Sequence, residues 1–183
     1  MNILFLTIQN LKDLKNHDIY SDLLNKLINE GHHVYIVSPI EKKQPTKIFI
    51  GDSCTILKVK TGNIQKTNRI EKGISTLLIE AQFKSAIKKY FANIKFDLIV
   101  YATPPITFSK VVKAIKKRDH AKSYLLLKDI FPQNAVDLQM FSEKGIINRY
   151  FRQKEKQLYQ ISDYIGCMSQ ANVDYILKHN TFI

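Results

Sequence analysis

The stretch Asn2-Ile-Leu-Phe-Leu-Thr-Ile8 decides the fold class, because it is apolar at nearly every position rather than at alternate ones. A strand of this kind has no solvent-facing side and is typical of a parallel sheet with helices on both faces. The helix predicted next, over 17–31, has one apolar stripe and ends at a glycine suited to a left-handed cap. Residues 34–37 then read as a second buried strand, which we expect Ser38 and Pro39 to end.

Outward from these elements, strand-length apolar runs keep alternating with segments of helical period. Further strands are predicted at 55–60, 97–101, 123–127 and 164–168, helices at 69–95, 106–117, 143–160 and 169–179, and a polar loop at 40–54. This alternation predicts parallel strands joined by right-handed crossovers. The expected fold is therefore α/β, a Rossmann-like open and mostly parallel sheet with helices on both faces, in a single domain over residues 1–183.

The charge balance is strongly basic. Lys and Arg number 28 against 16 acidic residues, which gives a net charge of +12. Such a field concentrates anionic partners, namely nucleic acid, anionic lipid head groups or phosphorylated small molecules. The alternative is a solvated lysine-rich surface without a partner. The chain lacks the aromatic-interleaved basic strand or the recognition helix of nucleic-acid modules, so we expect no nucleic-acid partner.

Targeting and redox features are few. The first apolar run is too short for a signal segment or a membrane span, which predicts a cytoplasmic protein, soluble or peripheral. Cys54 and Cys167 lie far apart without a partner motif, so we expect free thiols. The five histidines show no metal-ligand spacing, and we expect neither a metal nor another cofactor.

In an open parallel sheet, ligands bind at the carboxyl ends of the strands. The first such loop, 9–18, lacks the Gly-x-Gly-x-x-Gly of a dinucleotide site. Lys12, Lys15 and the following helix N-terminus would suit a phosphate. The alternative is a solvated loop in which Asn16 or Asp18 only caps the helix.

Two further strand-end loops are candidates. In 101–106 two prolines stiffen a turn in which Thr103 can cap the next helix, and a substrate wall or a merely rigid turn explains this equally well. In 128–133 the charged pair Lys128 and Asp129 follows three leucines. A carboxylate there could position a reacting centre, whereas the alternative is a helix cap beside a surface lysine.

The helical stretch 69–95 changes its apolar face near its middle. Ile74, Leu77 and Leu78 share one face, whereas the apolar residues from Phe83 onward lie on the opposite one. Either the helix breaks near Gln82, or it continues and points the first set outward beside lysines. An outward apolar patch among lysines is typical of interfacial membrane contact.

Four short motifs occur in an order that resembles the family 4 glycosyltransferases. Gly31-His-His-Val34 resembles their Gly-His-x-Val step, and Phe96-Asp-Leu-Ile99 their aromatic-Asp-hydrophobic step. Asp129-Ile-Phe-Pro132 resembles the Asp-Leu-Trp-Pro segment of the subgroup that acts on lipid-linked capsule and O-antigen precursors. The segment 155–169, ending in Ser-Asp-Tyr-Ile-Gly-Cys-Met-Ser, resembles their helix-strand step before a serine. The resemblance covers essentially the whole chain.

This resemblance implies the N-terminal half of a GT-B enzyme, a retaining hexosyl- or N-acetylhexosaminyltransferase at the inner face of a bacterial plasma membrane. The implied partners are a nucleotide-sugar donor, a lipid-diphosphate-linked acceptor and an anionic membrane surface. The donor site, with its two glutamates, belongs to a C-terminal domain that we do not find here, so this chain alone is expected to be inactive. The family's Gly-Gly is also absent from the first loop.

The resemblance assigns roles to the residues of the three loops. Asp129 is the implied catalytic residue, facing the reacting sugar. The implied substrate-binding residues are Asn10, Lys12, His17, Thr103, Pro104, Lys128 and Gln133. The membrane-contact residues that we predict are Ile74, Leu77 and Leu78. A stand-alone nucleotide- or phosphate-binding module, or a nucleic-acid-binding module, remains the alternative function.

Overall fold

A computed structural model describes residues 1–11, 13–41, 44–63 and 69–181, and of 69–74 the backbone alone. The strands in this part of the chain are β1 (Asn2–Leu6), β2 (His33–Ile40), β3 (Lys47–Ile50), β4 (Cys54–Lys60), β5 (Leu98–Ala102), β6 (Lys122–Leu127) and β7 (Tyr164–Cys167). The helices are α1 (Ile19–Asn29), α2 (Arg69–Tyr90), α3 (Ser109–Asp119), α4 (Gln133–Asp137), α5 (Ile146–Ile161) and α6 (Gln170–His179).

The strands form one sheet in the order β3-β4-β2-β1-β5-β6-β7. Every pair is parallel except β3 with β4, at one edge. β1 lies at the centre, where Phe5 is opposite Ile36 of β2 and Val100 of β5. The predicted α/β fold, an open and mostly parallel Rossmann-like sheet with helices, is therefore confirmed.

Two cores lie on opposite faces of the sheet, which explains why β1 is apolar throughout. Ile3 and Phe5 belong to one core and Leu4 and Leu6 to the other, and all four are fully buried. α1 packs on the first core, whereas α2, α3, α5 and α6 contribute side chains to the second. Each such side chain contributes about 1.5–3 kcal/mol when it is fully buried.

The predicted polar loop at 40–54 was wrong in part, because it contains β3. Ile48 pairs with Leu57 of β4 and packs against the core, but Phe49 and Ile50 are exposed. A four-residue edge strand with one inward side chain has too little alternation to be recognised from the sequence. The sheet therefore has an antiparallel edge beyond β4.

The end predicted for β2 was also wrong, since the strand runs through Ser38 and Pro39 to Ile40. The Val37 carbonyl accepts a hydrogen bond from the Thr7 amide on the β1 side, and the Ile40 carbonyl accepts one from the Thr61 amide on the β4 side. Because backbone groups alternate in direction along a strand, the Pro39 nitrogen faces the same side as the Val37 carbonyl. It lies beyond the end of β1. Its missing N–H costs no hydrogen bond of the sheet.

The helix α2 is continuous, and the break considered near Gln82 does not occur. Ile79, Phe83 and Ile87 are buried at spacings of four residues, which forms one stripe across the supposed break. The short helix α4 was not predicted.

Candidate functional site

The order of the strands creates a switch point at the carboxyl end of the sheet. From β1 the chain moves outward to β2 and β4, and then returns across β1 to β5. The loops that leave β1 and β5 therefore diverge in opposite directions. Such a point is where open α/β sheets bind ligands.

A cleft of about 240 Å3 lies at this point. Its lining residues are Thr7, Ile8, Gln9, Tyr20, Pro104 and Lys128. They come from the loops after β1, β5 and β6 and from the first turn of α1, so the three predicted loops do meet. A larger cavity of about 450 Å3 is lined by residues of α3 and α5 and by none of the three strand-end loops. We consider the smaller cleft the better candidate because of its position.

Lys128 is the cation of the cleft. Its ammonium Nζ lies 4.4 Å from the centre of the Tyr20 ring, and the residue is half-buried. The backbone N–H of Lys128 donates to the Thr103 hydroxyl at 3.1 Å. Both ends of the residue are therefore held, one by a cation–π contact and the other by a buried hydroxyl.

Thr103 lies beneath the cleft rather than in its wall. Its side chain is 0% exposed, and its hydroxyl also reaches the carbonyl oxygen of Asp129 at 3.5 Å. We therefore assign Thr103 a positioning role for the 128–129 backbone. Its direct contact with a substrate stays a prediction.

The N-terminus of α1 is capped by the chain itself. The Asp18 carboxylate accepts hydrogen bonds from the backbone amides of Tyr20 at 2.9 Å and Ser21 at 3.0 Å. The bond from the Ser21 amide is the main cause that lowers the pKa of Asp18, and Lys128 also lowers it. The capping alternative is therefore the one realised at Asp18, and these two amides are not open to a phosphate. Among the residues that line the cleft, Lys128 is the one with a cationic side chain.

A buried lysine that the sequence reasoning missed fixes the first loop. Lys58 on β4 is buried, and its Nζ donates to Asn10 Oδ1 at 2.7 Å and to the Leu11 carbonyl. Asn10 is therefore anchored from below. The signal was present, because Lys58 stands between apolar residues, with Ile56 and Leu57 before it and Val59 after it.

The other predicted substrate-binding residues have different surroundings. Pro104 lines the cleft, whereas His17 and Gln133 are not among its lining residues. His17 is exposed, with Nδ1 3.3 Å from Asp22 Oδ1. Lys12 lies outside the described residues. Asp129 is exposed directly after Lys128, and its catalytic role stays a prediction.

Gln133 belongs to a second polar network, which ties α4, α5 and α6 together. The side-chain oxygen Oε1 of Gln133 accepts hydrogen bonds from the Arg152 guanidinium and from the Tyr175 hydroxyl, the latter at 3.0 Å. Arg152 also donates to Glu155 at 2.9 Å, and Tyr159 donates to the same carboxylate at 3.0 Å. Burial raises the pKa of Glu155 despite these partners. The network holds the segment that follows the 128–132 loop.

The predicted membrane patch is exposed where it is described. Leu77 and Leu78 are each about half exposed on α2. The side chain of Ile74 lies outside the described residues. None of the helices in the part of the chain that the structure describes is long and apolar enough to cross a membrane.

Comparison with known proteins shows a likeness of fold to solved structures. No protein-family model and no curated protein matches the chain. Among solved structures, a trehalose-6-phosphate structure from E. coli bound with UDP-2-fluoro glucose superposes with a TM-score of 0.66 at 9% identity, covering 97% of this chain and 42% of that chain. An alpha,alpha-trehalose-phosphate synthase (UDP-forming) from Burkholderia vietnamiensis gives a TM-score of 0.57 at 10% identity, covering 97% and 43%.

A third likeness is to a trehalose-6-phosphate synthase studied for glycosyltransfer with retention. It has a TM-score of 0.58 at 10% identity and covers 96% of this chain and 41% of that chain. At such identities the likeness concerns the fold. This chain spans less than half the length of the chains it matches, and it has the fold of one half of a GT-B enzyme.

Proposed function

We propose that this chain is the acceptor-side, N-terminal half of a retaining GT-B glycosyltransferase of family 4, from the group that builds capsule or O-antigen. The observation that carries the proposal is the meeting of three strand-end loops at one cleft, with the Lys128 ammonium held over Tyr20. The likeness to trehalose-phosphate synthases supports the fold half of the proposal. The motifs in 31–34, 96–99, 129–132 and 155–169 support the subgroup.

The proposed reaction moves a hexosyl or N-acetylhexosaminyl group to a lipid-diphosphate-linked saccharide. A hydroxyl oxygen of the acceptor forms a bond to the anomeric carbon as the bond to the nucleoside diphosphate breaks, and the hydroxyl proton passes to the departing phosphate or to a base. A second Rossmann-like domain would hold most of the nucleotide sugar. On this proposal residues 1–183 bind acceptor but turn over nothing alone, at the inner face of a bacterial plasma membrane.

Electrostatics favour Lys128 as the diphosphate contact. The nearby carboxylate of Asp18 is committed to the backbone amides of α1. Among the described residues, Lys128 forms no ion pair within 4.0 Å. A half-buried cation beside an aromatic ring keeps most of its attraction for an anion, because water screens it less than at an open surface. Asp129, the next residue, would then face the reacting sugar.

Binding of a soluble prenyl diphosphate tests the acceptor site directly. In calorimetric titrations with geranyl diphosphate at moderate salt, we expect binding by the 183-residue chain and a loss for Lys128→Gln. The matched control is Lys122→Gln, which removes an exposed lysine from the opposite end of the same strand β6. Equal affinity of both variants and the wild type would exclude Lys128 as the anion contact.

The same titration separates the alternative functions. Binding of UDP or of single-stranded RNA, but not of geranyl diphosphate, would favour a nucleotide- or nucleic-acid-binding module instead. In the enzyme completed by its second half, Asp129→Asn is expected to lower kcat while geranyl diphosphate still binds. An unchanged kcat would remove Asp129 from the reaction.

A further inference from the structure

A second apolar surface, distinct from Leu77 and Leu78, lies between α4 and the first turns of α5. Five large apolar side chains in this stretch are between 41% and 88% exposed. We call them the apolar corner: Leu138, Met140, Ile146, Ile147 and Tyr150. Nothing in the sequence motifs or in the cleft accounts for them. Large apolar groups that are exposed together mark interaction surfaces more often than single ones do.

The apolar corner is held in place from its inner side. The rings of Phe131, Phe141 and Phe151 form a cluster with centroid distances of 5.0–6.2 Å. Asn148 closes the turn by donating from Nδ2 to the Glu143 carbonyl at 2.6 Å. The two sides of the turn are therefore fixed against each other. The exposed side chains point outward because aromatic rings already fill the inner side.

Basic residues accompany the apolar corner. Lys144 and Arg149 are exposed within it, and Lys154 Nζ lies 5.6 Å from the centre of the Tyr150 ring. Glu143 is the one exposed acidic side chain in 138–154, and Asp137 is exposed directly before Leu138. Three cations against two carboxylates leave a positive balance, which favours an anionic surface. A second copy of this chain is a poor occupant, because each copy carries a net charge of +12 and the two would repel.

We propose that the apolar corner inserts into the interface of an anionic membrane. Its four aliphatic side chains would lie below the lipid head groups, and Tyr150 would lie at the level of the head groups. The nearby lysines and arginine would contact the lipid phosphates. α4 begins four residues after Asp129, so the membrane would lie close to the cleft. The inference rests on the proposed function in one respect, since a lipid-linked acceptor is what brings the cleft to a membrane.

Tryptophan fluorescence tests this insertion, because the chain contains no tryptophan. We would compare Ile146→Trp with the control Ile50→Trp, which places the indole at another exposed isoleucine, on the edge strand β3. With vesicles of phosphatidylglycerol and phosphatidylethanolamine, emission at position 146 should shift to shorter wavelength and be quenched by brominated lipid. Emission at position 50 should not change. Equal responses, or none, would overturn the inference.

Vesicle sedimentation separates this surface from the one on α2. For Ile146→Ser combined with Ile147→Ser we expect affinity to fall roughly tenfold or more, because two aliphatic side chains no longer leave water. If only Leu77→Ser with Leu78→Ser lowers binding, the inference is wrong and the α2 patch makes the contact. If the wild-type chain does not sediment, the inference also fails, while geranyl diphosphate binding still decides the proposed function. A concentration-dependent blue shift without vesicles would identify a second copy as the occupant instead.

Discussion

Replacing Thr103 by valine should loosen the loop that carries Lys128, because this change deletes the hydroxyl but keeps the shape. The Lys128 amide loses its acceptor at 3.1 Å, and the Asp129 carbonyl loses a weaker donor at 3.5 Å. A buried amide left without a partner costs about 1–3 kcal/mol. Because Lys128 is only half-buried and water can replace part of the bond, we expect the lower half of that range.

Thr103→Ser is the matched control, because it keeps the hydroxyl and removes only a buried methyl group, at a cost of about 1 kcal/mol. The two variants therefore differ little in stability, and the decisive readout is hydrogen exchange of the Lys128 amide measured by NMR. Exchange should be fast in Thr103→Val and slow in Thr103→Ser. Affinity for geranyl diphosphate should fall only in the valine variant, by at most about tenfold for each 1.4 kcal/mol. A protected amide and wild-type affinity in the valine variant would refute the positioning role.

Three further predictions concern the cleft and the second core. Asp18→Ala should lower the free energy of unfolding by about 1 kcal/mol at neutral pH. Because the pKa of Asp18 is lowered in the folded state, this stabilisation is present above the ordinary pKa of 3.8 and is lost as the pH falls through the folded-state pKa. The free energies of unfolding of the two proteins, measured in urea, should therefore converge in acid. A double-mutant cycle of Lys128→Met and Tyr20→Leu should give a coupling of about 0.5–1 kcal/mol in urea unfolding, and zero coupling would mean that the cation–π contact is not stabilising. Phe83→Ala, at a fully buried position, should cost about 3–5 kcal/mol in the same measurement, and a loss below 1 kcal/mol would contradict its central place in the core.

The fold could be predicted because its signals are local. The run from Asn2 to Ile8 excludes a half-exposed strand, and the stripe of α1 with its glycine cap is confirmed, with Gly31 at a φ of 81°. Pro39 shows where local reasoning fails. Whether a proline ends a strand depends on which neighbouring strand its nitrogen faces, and that is known only once β1 has been placed beside β2.

The candidate site was predictable at the level of loops but not of side chains. Strand order brings the loops after β1, β5 and β6 together whatever their sequence, so Pro104 and Lys128 do meet in one cleft. The direction of each side chain depends on partners from distant elements. Thr103 turns inward to Lys128, Gln133 turns towards Arg152, and Lys58 is buried under Asn10, and none of these pairings has a signature in the spacing of residues.

The cleft and the apolar corner are connected by one short piece of chain. The segment from Lys128 to α4 begins at the Thr103 hydroxyl and ends at Gln133, which Arg152 of α5 holds in place. α5 also carries Ile146, Ile147 and Tyr150 in its first turns. A membrane that fixes the start of α5 would therefore also fix the far end of the loop that carries Lys128 and Asp129. If so, Arg152→Leu should weaken geranyl diphosphate binding more in the presence of anionic vesicles than in their absence, and an equal effect in both would mean that the two surfaces act independently.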